Sequence, residues 1–86
     1  MPEISRFYGI IIFINYDEHN PPHFHAKYGE HAASILIDPV HLQEGHLPRQ
    51  AWGLLKEWAE QHQAELLEDW ELTRIGNAPF KIDPLK

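Results

Sequence analysis

Hydrophobic and polar positions change rhythm once along this chain, near Pro48. Before it, apolar residues come in unbroken runs or alternate with period two. After it they recur every three or four. Phe7 to Tyr16 is almost wholly aromatic and β-branched, which predicts a strand covered on both faces. Gly9 inside it reads as a bulge or a close backbone approach. Asp17 to Pro22 carries Asp, Asn and two prolines, a strong turn signal. His23 to Tyr28 then alternates, with Phe24, Ala26 and Tyr28 on one side and His23, His25 and Lys27 on the other. A tight turn at Gly29-Glu30 pairs Tyr28 with His31 and Phe24 with Ile35. His31 to Ile37 is the third strand, ended by Asp38-Pro39. A short fourth strand, about Val40 to Glu44, closes a meander at Gly45. Residues 1–6 read as a lead-in.

The later half is helical. Pro48 suits a first turn, and Ala51, Leu54, Leu55, Trp58, Ala59 and His62 form an amphipathic stripe. Leu66, Leu67, Trp70 and Leu72 continue it, as one long helix or as two. Gly76-Asn77 reads as the C-cap, followed by Pro79. Residues 77–86 read as a loosely ordered tail pinned by Phe80 and Ile82. The expected fold is therefore a single α+β domain over 1–86: an antiparallel β-meander of about four strands, then one or two helices packing on one sheet face. The covered face collects Phe24, Ala26, Tyr28, Ala33, Ile35 and Ile37, against Trp52, Leu55, Trp58 and Leu66.

The other face collects His23, His25 and Lys27 beside Ala32, Ser34 and Leu36. If the first hairpin sets Tyr16 opposite His23, Ile12, Ile14 and Tyr16 join it; a slip of one residue reverses that assignment. An apolar sheet face with no helix over it calls for a partner or ligand.

Composition narrows the classes. The chain has no cysteine, which removes disulfides and thiolate metal sites. A hydrophobic share of 43% supports a core in 86 residues. Gly9 to Ile14, the longest apolar run, is too short to span a membrane. The first residues show no basic region leading into an apolar one, so no secretory signal is read and the expected compartment is the cytoplasm. The net charge of -6 argues against broad binding to a phosphate backbone.

The chemistry concentrates between Asp17 and Tyr28. His23 and His25 stand side by side on one strand face, Cβ atoms roughly 7 Å apart. One neutral and one protonated imidazole are what in-line RNA cleavage needs, with Lys27 to stabilise charge and Tyr16 or Tyr28 to stack on a base. The expected catalytic residues are His23, His25 and Lys27. The expected binding residues are Tyr16, His19, Tyr28, Ile12, Ile14 and Ser34. The alternative is a divalent metal such as zinc held by His23 and His25 with His19, or with His31 in its place, and with Asp17 or Glu18 completing the set. The first reading needs no cofactor. The plain alternative to both is that His23 and His25 are half-exposed strand residues and His19 caps a turn. His41, His46 and His62 are scattered, with no local partners.

Phe7-Tyr8-Gly9-Ile10, Glu18-His19-Asn20-Pro21-Pro22-His23-Phe24-His25, Tyr28-Gly29-Glu30, Leu47-Pro48-Arg49 and Trp58 together resemble a family of short bacterial proteins, domain of unknown function 4160. The resemblance runs along nearly the whole chain and singles out His19, His23, His25, Tyr28 and Gly29. Such proteins are often encoded beside a second small protein, and some are labelled toxins of toxin–antitoxin pairs. The resemblance thus implies a small protein partner encoded nearby and RNA as a candidate target, which the acidic charge disfavours. A homodimer is the other candidate assembly. A non-enzymatic interaction or metal-binding module using the same face is the alternative function.

Overall fold

The computed structural model describes residues 2–16 and 18–86. Five strands precede two helices: β1 (Glu3–Phe7), β2 (Ile10–Phe13), β3 (His23–Tyr28), β4 (His31–Leu36), β5 (His41–Gly45), α1 (Arg49–Gln61) and α2 (Gln63–Arg74). The strands form one antiparallel sheet in chain order. This is the expected α+β meander with one strand more.

The extra strand comes from both sides of Gly9. Tyr8 and Gly9 have φ of 49° and 81°, and Phe7 pairs with Ile10 across them. Two positive φ angles in a two-residue loop make a hairpin turn whose twist matches its strands. Gly9 is therefore a turn rather than a bulge, and residues 3–7 are a strand rather than a lead-in. Tyr8 stays 59% exposed.

The β3–β4 hairpin behaves as the alternation requires, with Phe24 opposite Ile35 and Tyr28 opposite His31. The pairing of β2 with β3 differs by one residue from the register that sets Tyr16 opposite His23. Phe13 lies opposite His25 and Ile12 opposite Ala26. Ile12 and Ile14 are both fully buried on the helix side, and the other face receives Ile11 and Phe13. Turning both isoleucines outward would forgo roughly 1.5–3 kcal/mol of burial each, so the core sets this register.

The helices bury Ala51, Leu55, Trp58, Ala59, Leu66 and Trp70 against the sheet. Trp58 is the centre of the core, its ring 5.2 Å from Phe7 and 6.0 Å from Phe24. Its indole N–H donates to the Asp83 carbonyl at 2.8 Å. Trp52 is only partly buried at the edge. The helical half is two helices, broken at His62 (φ -124°, ψ 25°). Asn77 N–H bonds Leu72 O and Gly76 N–H bonds Thr73 O, the paired closure that ends α2 as expected. No described helix is long and apolar enough to cross a membrane.

The tail is anchored more firmly than expected. Ile82 is buried and its N–H donates to Ile4 O on β1 at 2.8 Å. Phe80 is held through its backbone, with N–H donating to Asp69 Oδ1 at 2.9 Å, while its side chain is exposed.

Candidate functional site

Strand alternation sets the site. His23, His25 and Lys27 lie opposite Leu36, Ser34 and Ala32, on the sheet face opposite Phe24 and Ala26, which Trp70 of α2 reaches at its His23 end. The segment between β2 and β3 returns over this face and brings Glu18 to both histidines. Glu18 Oε2 stands 3.0 Å from His23 Nε2, and Oε1 stands 2.5 Å from His25 Nε2. One carboxylate thus clamps two imidazoles.

Each ring is also held from behind. His23 Nδ1–H donates to the Pro21 carbonyl at 2.8 Å, and its ring lies 5.0 Å from that of Trp70. His23 is buried; it is not a half-exposed strand residue. His25 stacks on Phe13 with ring centres 5.2 Å apart and planes 14° apart. Burial pushes the Glu18 carboxyl up. Hydrogen bonds from His25, Asn15 and His23 and the charge on His25 outweigh it, leaving the carboxyl below its ordinary value.

Beside the clamp lies an open cleft of about 440 Å³. Its lining includes His19, Ser34, Gln43 and Glu44. The pairing of β4 with β5 shifts between Ser34 and Ile35, leaving Gln43 as an extra residue. Such a bulge re-aims a side chain, and here Ser34 Oγ donates to Gln43 Oε1 at 3.3 Å.

The expected residues divide clearly. His23, His25 and Ser34 meet in the cleft, and His19 lines it while remaining exposed. Lys27 is exposed one register step further on, outside the lining. Tyr16 is 46% exposed and does not face His23. Tyr28 packs against the core. Ile12 and Ile14 do not face the cleft, because the hairpin register turns them inward. His31 pairs instead with His46, ring centres 5.6 Å apart, at the far end of β3 and β4. His62 marks the helix break, with Nδ1 2.5 Å from Glu65. Asp17 lies outside the described residues. Among the described acids, Glu18 is the one the fold brings to both histidines. Phe13, Gln43 and Glu44 carry no local sequence signal, since strand pairing alone brings them to the site.

Glu18, His23 and His25 each present one donor atom, all within 4.8 Å of one another, the one such group of three among the described residues. Chemically the trio can share a proton or hold a cation.

The model of the family described as "Domain of unknown function (DUF4160)" matches residues 9–71. The chain belongs to the DUF4160 family. The match runs from the turn at Gly9 to the last turns of α2 and contains every residue of the clamp. No curated protein and no solved structure matches the chain.

Proposed function

We propose that the Glu18–His23–His25 cleft is the working site of a partner-dependent protein of the toxin–antitoxin type, and that it works by proton transfer. The observation supporting this is the clamp itself: one carboxylate orients two imidazoles beside an open cleft. Buried or half-buried imidazoles held in fixed orientation are what general acid–base chemistry requires.

Within this reading the substrate class that the family resemblance suggests is RNA. Charge limits how RNA enters. Among the described residues Glu18 and Glu44 line the cleft and no Lys or Arg does, while the whole chain carries -6. Phosphates therefore need cations from elsewhere, and we assign those to the small protein partner.

A test is growth and RNA integrity in cells expressing the chain, compared with Glu18→Gln, His23→Gln and His25→Gln. Each variant is expected to restore growth and intact RNA, at least a hundredfold loss of activity, with unchanged circular dichroism. Variants as active as the parent would sink the active-site reading. A non-enzymatic interaction module is the second reading, favoured by Ile11 and Leu36, which stay partly exposed on the cleft face. On that reading Ile11→Asp and Leu36→Asp abolish capture of a partner, or of a second copy, and the histidine variants do not.

A further inference from the structure

The hydrogen bonds around His23 raise a question of charge. A carbonyl oxygen only accepts, so the contact with Pro21 O at 2.8 Å places a proton on His23 Nδ1. A neutral imidazole carries one N–H, so Nε2 then presents a lone pair. What it faces at 3.0 Å is an oxygen of the Glu18 carboxyl. Two lone pairs at that distance repel unless a positive centre lies between them. That centre is either a proton shared between His23 and Glu18 or a metal ion.

We propose that it is a metal ion: Glu18, His23 and His25 bind a divalent first-row transition ion, zinc or ferrous iron, through Nε2 of both histidines and the carboxylate. This rests on the same cleft being the working site; with an ion bound, both Nε2 lone pairs are taken, so the two imidazoles hold the ion instead of carrying protons.

Four features of the molecule converge on this. First, two imidazoles and one carboxylate are the donor set of open zinc sites and of non-haem iron sites, whereas magnesium and calcium take oxygen donors. Second, the Nδ1–H bond to a backbone carbonyl is the outer contact that metal-bound histidines make, and it aims Nε2 at the ion. Third, the rings are fixed before any ion arrives, His25 against Phe13 and His23 against Trp70. Fourth, three protein donors leave at least one position open, and it opens on the cleft lined by His19, Ser34 and Glu44. With bonds of about 2.0–2.2 Å, tetrahedral donors stand about 3.3 Å apart. The three donor atoms lie within 4.8 Å of one another, and side-chain rotation brings them to that spacing.

The test is zinc titration of the tag-free, chelator-treated full chain, followed by calorimetry and by histidine side-chain NMR. One zinc per chain is expected, with the ring signals of His23 and His25 shifting together. Glu18→Gln and His25→Gln are expected to weaken binding by more than about a hundredfold, above the range of outer-contact losses. A double His31→Gln, His46→Gln variant removes the exposed histidine pair at the far end of the sheet and is expected to bind zinc unchanged. Absence of binding at millimolar zinc overturns the inference. So does binding that depends on His31 and His46 but survives Glu18→Gln. The outcomes stay separate from those of the proposed function. If zinc fails to bind while Glu18→Gln still abolishes activity, only the metal falls; if zinc binds at the clamp while activity ignores Glu18→Gln, only the active-site reading falls.

Discussion

Asp69 is the residue whose placement costs the fold most plainly. It is 1% exposed. One oxygen accepts the Phe80 N–H and the other has no protein partner. Burial pushes its carboxyl from 3.8 up to about 6, opposed by the Phe80 bond and assisted by Glu68 and Glu65. A folded-state value above the unfolded one means that the folded chain binds the proton more tightly. The associated stability is fully present below about pH 4 and is lost as pH rises through about 6. Asp69→Asn keeps the acceptor for Phe80 and removes the charge. It is expected to stabilise the protein by roughly 1–3 kcal/mol near pH 8 and by almost nothing near pH 4. Urea denaturation at the two pH values checks this; equal effects at both would show that Asp69 stays ionised at no cost. Residue scale is also where sequence reading reaches least far. His23 and Glu18 are visible as residues able to act, but their contact depends on a turn between two strands, and no spacing rule supplies it.

At the scale of elements, the hairpins decide more than the propensities do. The strand β3 is legible because its alternation is strict, and its turn to β4 is tight. The β1–β2 hairpin is not, because Tyr8-Gly9 lies inside an apolar run and its turn signal is drowned by strand-forming neighbours. Tyr8 takes φ 49°, a conformation costly to a bulky side chain and readily taken by Asn. Tyr8→Asn makes an Asn-Gly turn, and the lost side chain is mostly exposed. The expected gain is about 0.5–1 kcal/mol, read as a higher melting temperature. A drop in melting temperature would mean that the Tyr8 ring contributes packing. Gly45 shows the converse constraint. A Cβ there would stand 2.2 Å from Ala32 O, so the approach of β5 to β4, and with it the cleft wall, depends on that glycine.

For the molecule as a whole, the tail joins the two halves. Its backbone runs beside β1, where Ile82 N–H bonds Ile4 O, and it accepts the Trp58 indole N–H through Asp83 O. It thereby covers a sheet edge that would otherwise invite pairing with another chain. Ile82→Asp puts a charge into the core and is expected to cost about 3 kcal/mol. Lys81→Ala, which removes one exposed bond to Glu3 O, is expected to cost under about 1 kcal/mol. Urea midpoints for the two variants check the pair; equal losses would mean that the tail acts through its exposed contacts rather than through burial.

The sequence by itself determines the α+β class, the faces of β3 and β4, the amphipathic α1 and the C-cap of α2, because each depends on residues a few positions apart. It also marks the segment from Asp17 to Tyr28 as the place where chemistry gathers. Tertiary structure decides which isoleucines face the core, since one residue of register exchanges Ile12 and Ile14 for Ile11 and Phe13. It decides that Glu18, and neither His19 nor His31, joins His23 and His25, and that Gln43 and Glu44 complete the cleft. Those choices belong to pairings between strands. Their energies come from burying a shared core, a quantity that no local stretch of the chain contains.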